Sequence, residues 1–174
     1  MKRLIALGLA SSFVVVSAGS AVAQAPPTPA PEHELLQRDV GVWDAKVKVL
    51  MGPEAMESTG TETVSLLGGF WQVSTFEGSF MGMPFTGQGW LGWDPGSKKY
   101  VNGWIDSTSP GLTRGEATYD AATQTLSGTM EGPGMDGTPQ KMEQVIKWID
   151  DDNRVVTMRM GGQTTMEIVY TRKK

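Results

Sequence analysis

Between residues 40 and 172 hydrophobic and polar positions alternate with a period of two, in short runs separated by turn chemistry. The first run is the clearest. Trp43, Ala45, Val47 and Val49 interleave with Asp44, Lys46 and Lys48, the spacing of a strand with one buried face. Gly52-Pro53 turns the chain, a Thr- and Val-rich run follows over 59–66, and Gly68-Gly69 turns it again. Runs over 70–80 and 84–93 flank Gly82-Met83-Pro84, and Asp94-Pro95-Gly96 ends the second. In that turn proline presets one position and glycine accepts positive φ at the next. Further strands are predicted over 100–107, 112–119, 125–131, 141–149, 154–160 and 164–172. About ten strands at spacings of about 10–15 residues read as an antiparallel meander.

An open meander of this length leaves two exposed edges, and closure removes them. The predicted fold is therefore all-β: a closed or nearly closed antiparallel up-and-down β-barrel of about ten strands, with no repeat and no second domain. A barrel of roughly eight to ten strands has room for a small ligand. Residues 32–39 predict a short N-terminal helix, with Leu35 and Leu36 turned inward as a plug.

Ahead of the barrel the pattern changes. Lys2 and Arg3, the apolar run 4–16 and Ala21-Val22-Ala23 have the layout of a secretory signal with its cleavage site. The apolar run is short for a membrane anchor, which needs about 20 residues. The expected organisation is a signal peptide over 1–23, a Pro-rich tether over 24–31 and the barrel over 32–174, with a periplasmic or secreted location. The sequence has no Cys, one His and a net charge of -4. Packing alone must then hold an exported fold, with no disulfide and no lipid-anchored cysteine. An acidic chain without a basic run argues against nucleic acid, whose binding rests on neutralising phosphates. No second hydrophobic span follows, so a membrane-embedded protein is not expected, and the oligomeric state is left open.

The stretch 76–106 concentrates Phe76, Phe80, Phe85, Trp90, Trp93, Tyr100 and Trp104. In the run 70–80, Phe70, Gln72, Phe76 and Phe80 share one face and Trp71, Val73, Thr75 and Glu77 the other. Both carry aromatics, so alternation does not choose the inward one. Small-molecule sites are apolar cavities with a few converging polar groups. On that basis Phe76, Trp104, Asp106 and Tyr170 are candidate ligand-binding residues, with Met142 and Met158 as adaptable walls. The competing reading is a filled core, in which backbone donors satisfy Asp106.

Other chemistry is weighed on the same terms. Met81 and Met83, or Met158 and Met160, could offer thioethers to Cu(I), but period-two methionines are also ordinary core packing. Gly87-x-Gly89-x-x-Gly92 matches a dinucleotide fingerprint by letter only, since no helix follows it. These glycines are expected to permit curvature or clear room beside Trp90 and Trp93. His33 alone supports neither a three-histidine zinc site nor a Ser-His-Asp triad, and is read as a solvated residue at a helix start. Asp150, Asp151 and Asp152 read as a solvated turn. No metal and no cofactor is predicted. Burial of Glu77 or Asp106 beside Tyr170 would supply acid–base chemistry for a lyase or isomerase. The leading expectation is a barrel that carries or buffers a small apolar or aromatic molecule; an enzyme in the same cavity and a ligand-free structural or partner-binding barrel are the alternatives.

Two motifs carry a resemblance. Gly41-Val42-Trp43 opens the first strand and Tyr170-Thr171-Arg172 ends the last, which resembles the calycin group of lipocalins, fatty-acid-binding proteins and nitrobindin-like barrels. The resemblance implies that Trp43 and Arg172 form a structural pair sealing one barrel end. The segments at 41–49, 66–71, 76–100, 102–107, 115–120 and 168–173 are similar to the uncharacterised bacterial domain-of-unknown-function family numbered 1579, with Trp93 standing where that pattern has Tyr. This implies a calycin-like barrel and transfers no catalytic residue.

Overall fold

The computed structural model describes residues 27–80, 82–134 and 137–174. The expected signal peptide, the start of the tether and Met81 lie outside the described residues. Ten strands follow a short helical segment: β1 (Gly41–Val49), β2 (Met56–Leu67), β3 (Trp71–Phe80), β4 (Met83–Asp94), β5 (Lys99–Asp106), β6 (Thr113–Asp120), β7 (Thr125–Pro133), β8 (Pro139–Trp148), β9 (Asn153–Met160) and β10 (Gln163–Arg172). Each strand pairs antiparallel with its chain neighbours, and β1 pairs with β10 to close the barrel. The predicted architecture is the observed one. β2 begins earlier than its Thr/Val run because Met56 pairs with Val49 across the first hairpin. The predicted helix over 32–39 is shorter, a 3-10 turn at Pro31–His33 and one α-turn, α1 (Glu34–Gln37).

Residues opposite each other in an antiparallel ladder share a face, so the register identifies the lumen. Trp43 pairs with Glu62, Glu62 with Phe76, Phe76 with Gly87 and Gly87 with Asp106. Round the other way, Val49 pairs with Met166, Met166 with Met158 and Met158 with Gln144. The inward face of β3 is therefore Gln72, Phe76 and Phe80. Trp71 and Glu77 point outward and are exposed. The sequence left this choice open, and pairing with both neighbours settles it.

One end of the barrel is sealed. Leu35 and Leu36 of α1 are buried in a cluster with Leu91, Tyr100, Ala117, Leu126 and Trp148. Trp43 is fully buried, which by area stabilises the fold by about 1.5–3 kcal/mol. The Arg172 guanidinium lies 4.1 Å from its ring centroid and donates to the carbonyls of Val40 and Arg38, each at 2.6 Å. The Arg154 guanidinium also lies over the indole, at 4.8 Å, and 4.2 Å over the ring of Tyr170. Arg154 is buried and pairs with Asp39 at 3.1 Å and with Glu62. Asp39 further accepts the Trp148 indole N–H at 2.7 Å, and its carbonyl accepts that of Trp43 at 2.7 Å. This network joins the segment after α1 to β1, β2, β8 and β9.

Two glycines fit indoles into the β4–β5 wall. A Cβ at Gly87 would overlap the ring of Trp104 on the lumen side, and one at Gly103 would overlap Trp90 on the outer side. The expected clearance beside Trp90 and Trp93 is thus clearance for cross-strand partners. His33, expected to be solvated, is buried. Its Nδ1 accepts the Ala30 N–H at 2.9 Å and its ring meets Phe70 edge-on at 5.4 Å, because the 3-10 turn rolls it onto the barrel.

Removing one partner of a buried ion pair leaves its counter-charges uncompensated. Arg154→Met is therefore expected to lower stability by about 3–5 kcal/mol in urea unfolding, and adding Glu62→Gln should restore part of that loss. Burial pushes the Glu62 carboxyl above its ordinary value, and Arg154 offsets this only in part. A carboxyl whose folded-state pKa is raised contributes stability below the ordinary glutamate range and loses it as pH rises through the raised value. The thermal midpoint of Glu62→Gln, measured relative to the native chain, should accordingly climb as pH rises from below about 4.5 to 7. A difference that falls over that range would show Glu62 held ionised by Arg154.

Candidate functional site

At the opposite end the inward-facing side chains remain in contact with solvent. Phe80, Phe85, Trp104, Asp106, Met142, Met158 and Met166 all face the lumen and are only half-buried. The mouth has two chemically different walls.

On β3 to β5 the wall is aromatic. Phe85 meets Phe76 edge-on and Phe80 at a tilt, both at 5.9 Å between centroids, and stacks with Trp104 at 6.5 Å and 16°. Asp106 fixes the indole: its Oδ2 accepts the Trp104 Nε1–H at 3.0 Å. Its Oδ1 accepts the Thr108 N–H at 2.8 Å and the Thr108 hydroxyl at 2.7 Å. Two residues of one strand face share this arrangement because period two places Trp104 and Asp106 side by side, and the β5–β6 turn brings Thr108 back to them.

On β7 to β10 the wall is thioether. Met130 is opposite Met142, and Met158 is opposite Met166; facing residues in a ladder sit about 4.5–5.5 Å apart at Cβ. Met160 follows Met158 on the same face. Beneath the mouth, Asn102 on β5 donates from Nδ2 to Gln144 Oε1 on β8 at 3.0 Å. This bond crosses over β6 and β7 where Gly115, paired with Asn102, and Gly128, paired with Gln144, present no side chain. It divides the open half of the lumen from the packed layer of Leu91, Tyr100, Leu126 and Trp148.

The structure separates the residues that the sequence grouped. Phe76, Trp104, Asp106, Met142 and Met158 face the open half of the lumen. Tyr170 lies at the sealed end, buried under Arg154, and desolvation drives its phenol well above the usual tyrosine range. The acid–base pairing of Glu77 or Asp106 with Tyr170 is not assembled, since Glu77 is on the outer wall and Asp106 is in a different layer. Met83 is exposed on the β3–β4 hairpin, away from Met158 and Met160. Asp150 is engaged within its own turn, accepting from the Asp152 N–H at 2.8 Å and from Asn153 Nδ2 at 2.9 and 3.0 Å. Among the described residues, no group of three His, Cys, Asp or Glu side chains is placed to hold a metal ion.

An enclosed apolar void was the simplest form of the expected cavity. Two hollows lie elsewhere. One, of about 290 Å³, is lined by Pro29, Ala30, Pro31, His33, Glu34 and Gln37. The other, of about 400 Å³, lies against the β1–β2 pair at Asp44, Lys46, Thr59 and Thr61. Within the lumen the buried layer of the sealed end gives way to inward-facing apolar side chains that are only half-buried. Sequence reasoning missed Phe85, Met130, Met166, Asn102 and Gln144 as parts of it. Met130 was findable, because it stands as far from the turn between β7 and β8 as Met142 does.

Known proteins bear on the fold. The crystal structure of Rv2717c from M. tuberculosis superposes with a TM-score of 0.61 at 17% identity, covering 83% of this chain and 99% of that one. At that identity the likeness concerns the fold alone. A de novo designed fluorescence-activating β-barrel matches with a TM-score of 0.48 at 15% identity, covering 79% of this chain and 96% of that one. No curated protein sequence matches the chain, and among the described residues no helix is long and apolar enough to cross a membrane. A family model matches residues 28–172, and the chain belongs to that family, described as Protein of unknown function (DUF1579).

Proposed function

We propose that the protein binds a small apolar or aromatic molecule in the open half of the barrel, between the aromatic wall of β3–β5 and the methionines of β7–β10. The observation that supports this most directly is the incomplete burial of Phe80, Phe85, Trp104, Met142, Met158 and Met166, all of which face inward. Aromatic and aliphatic side chains that line an interior and still touch water gain by covering that surface, at about 25 cal/mol per Å². Contiguous apolar patches of this kind mark ligand or partner sites in soluble proteins. The two walls divide the work of recognition. The indole of Trp104 is fixed by Asp106, while unbranched thioethers repack around different shapes. Binding without covalent chemistry suits a carrier or buffer, and the signal-like N-terminal pattern supports a periplasmic or external setting for that role.

A ligand that binds only the folded state raises its stability by about 2.7 kcal/mol at a hundredfold excess over Kd. For a chain of this length that is a rise of about 5–10 °C in the thermal midpoint. A neutral fluorescent probe such as N-phenylnaphthylamine is expected to produce a concentration-dependent rise of that size and to brighten on binding. Met158→Glu, which sets a charge on the half-buried methionine wall, should abolish both effects while circular dichroism remains that of the native barrel. A flat response across apolar probes, or one that Met158→Glu leaves intact, would overturn the assignment.

A further inference from the structure

We infer that the ligand is an organic cation, an apolar or aromatic body carrying an ammonium-type group, received beside Asp106 and over the face of Trp104. The inference rests on the binding reading above and concerns the charge of what is bound. Among the described residues, Asp106 is the one ionisable side chain that faces the lumen in its open half. Lys48, Arg114, Lys141 and Arg159 sit on the same strands but on the outward face, and all are exposed. The two inward arginines, Arg154 and Arg172, are at the sealed end, committed to Asp39 and Glu62 and to the carbonyls of Val40 and Arg38.

Among the described residues facing this mouth, a carboxylate or phosphate meets no cation and one like charge. The indole N–H of Trp104, the natural donor to such an anion, is already given to Asp106. For a cation the same surface is complementary. Asp106 accepts three hydrogen bonds, and a carboxylate has about four acceptor positions, so one remains for a ligand N–H. The faces of Trp104 and Phe85, stacked at 6.5 Å, attract a cation through their quadrupoles, most strongly where water is excluded. Unbranched methionines opposite complete the apolar lining without adding charge.

The test compares three probes that share one aromatic body: naphthylethylamine, protonated at about pH 7, the neutral naphthylethanol, and the anionic naphthylacetate. Calorimetric or competition titrations of the native chain should give the tightest Kd for the amine and the weakest for the acetate. About a hundredfold between those extremes is expected, with the alcohol between them. Added salt should narrow the gap between amine and alcohol, as screening requires, a readout that needs no variant. Asp106→Asn should weaken the amine by about tenfold more than the alcohol. An acetate that binds as well as the amine, or an Asp106→Asn variant that weakens all three equally, would overturn the inference and leave the binding reading standing. Failure of all three probes to bind would remove both.

Discussion

Arg154 is the charge on which the closed form of this barrel depends. Its guanidinium is buried between the rings of Trp43 and Tyr170, with Asp39 and Glu62 as counter-charges. Those four residues come from β1, β10, the segment after α1, and β2, so a single cation ties the first two strands to the last two. That is also the seam at which an up-and-down meander must close. Arg172 finishes the seam from outside by bonding the backbone just ahead of β1. A buried ion cluster is rarely the cheapest way to stabilise a core. Here it specifies which strands meet, a task an apolar layer of the same volume performs less selectively.

With that end committed to closure, the other is released from it. Among the described residues, no helix plugs the inward residues beyond the Asn102–Gln144 bond. The sealed end pairs its buried charges internally; among the described residues, the inward face of the open end carries Asp106 as its one ionisable side chain. Where a core would have buried aromatics and methionines completely, this half leaves them touching solvent. Sites are commonly found where a fold departs from the packing its composition would allow.

How much of this was legible depends on the distance over which each signal acts. Strands and turns are local, and period two with Gly, Pro and Asp punctuation predicted them closely. Trp43 with Arg172 was reached through resemblance, since residues at opposite ends of the chain share no local pattern. Lumen against exterior was illegible on β3, where Trp71 and Phe76 compete, until pairing with β2 and β4 fixed the register. Asp39, Glu62 and Arg154 lie far apart in the chain and share no local pattern; only the closed fold brings them together. His33 was misjudged for a related reason, because its burial comes from contact with Phe70 in the hairpin between β2 and β3.

The glycines of β4 and β5 follow from the same geometry. Gly87 lies under Trp104 and Gly103 under Trp90, so each strand's missing side chain is occupied by its neighbour's indole. This exchange thickens the β4–β5 wall on both faces, and the bond to Asp106 holds the Trp104 ring in place. Across the lumen, β7 to β10 place flexible thioethers where such a lock is absent. A barrel with two rigid walls would select one shape, and one with two soft walls would select none. On the binding proposed above, a fixed aromatic surface would orient a ligand while a compliant one adjusts to its outline. Gly87 and Gly103 on one side and the methionines of β7–β10 on the other are thus two halves of one arrangement.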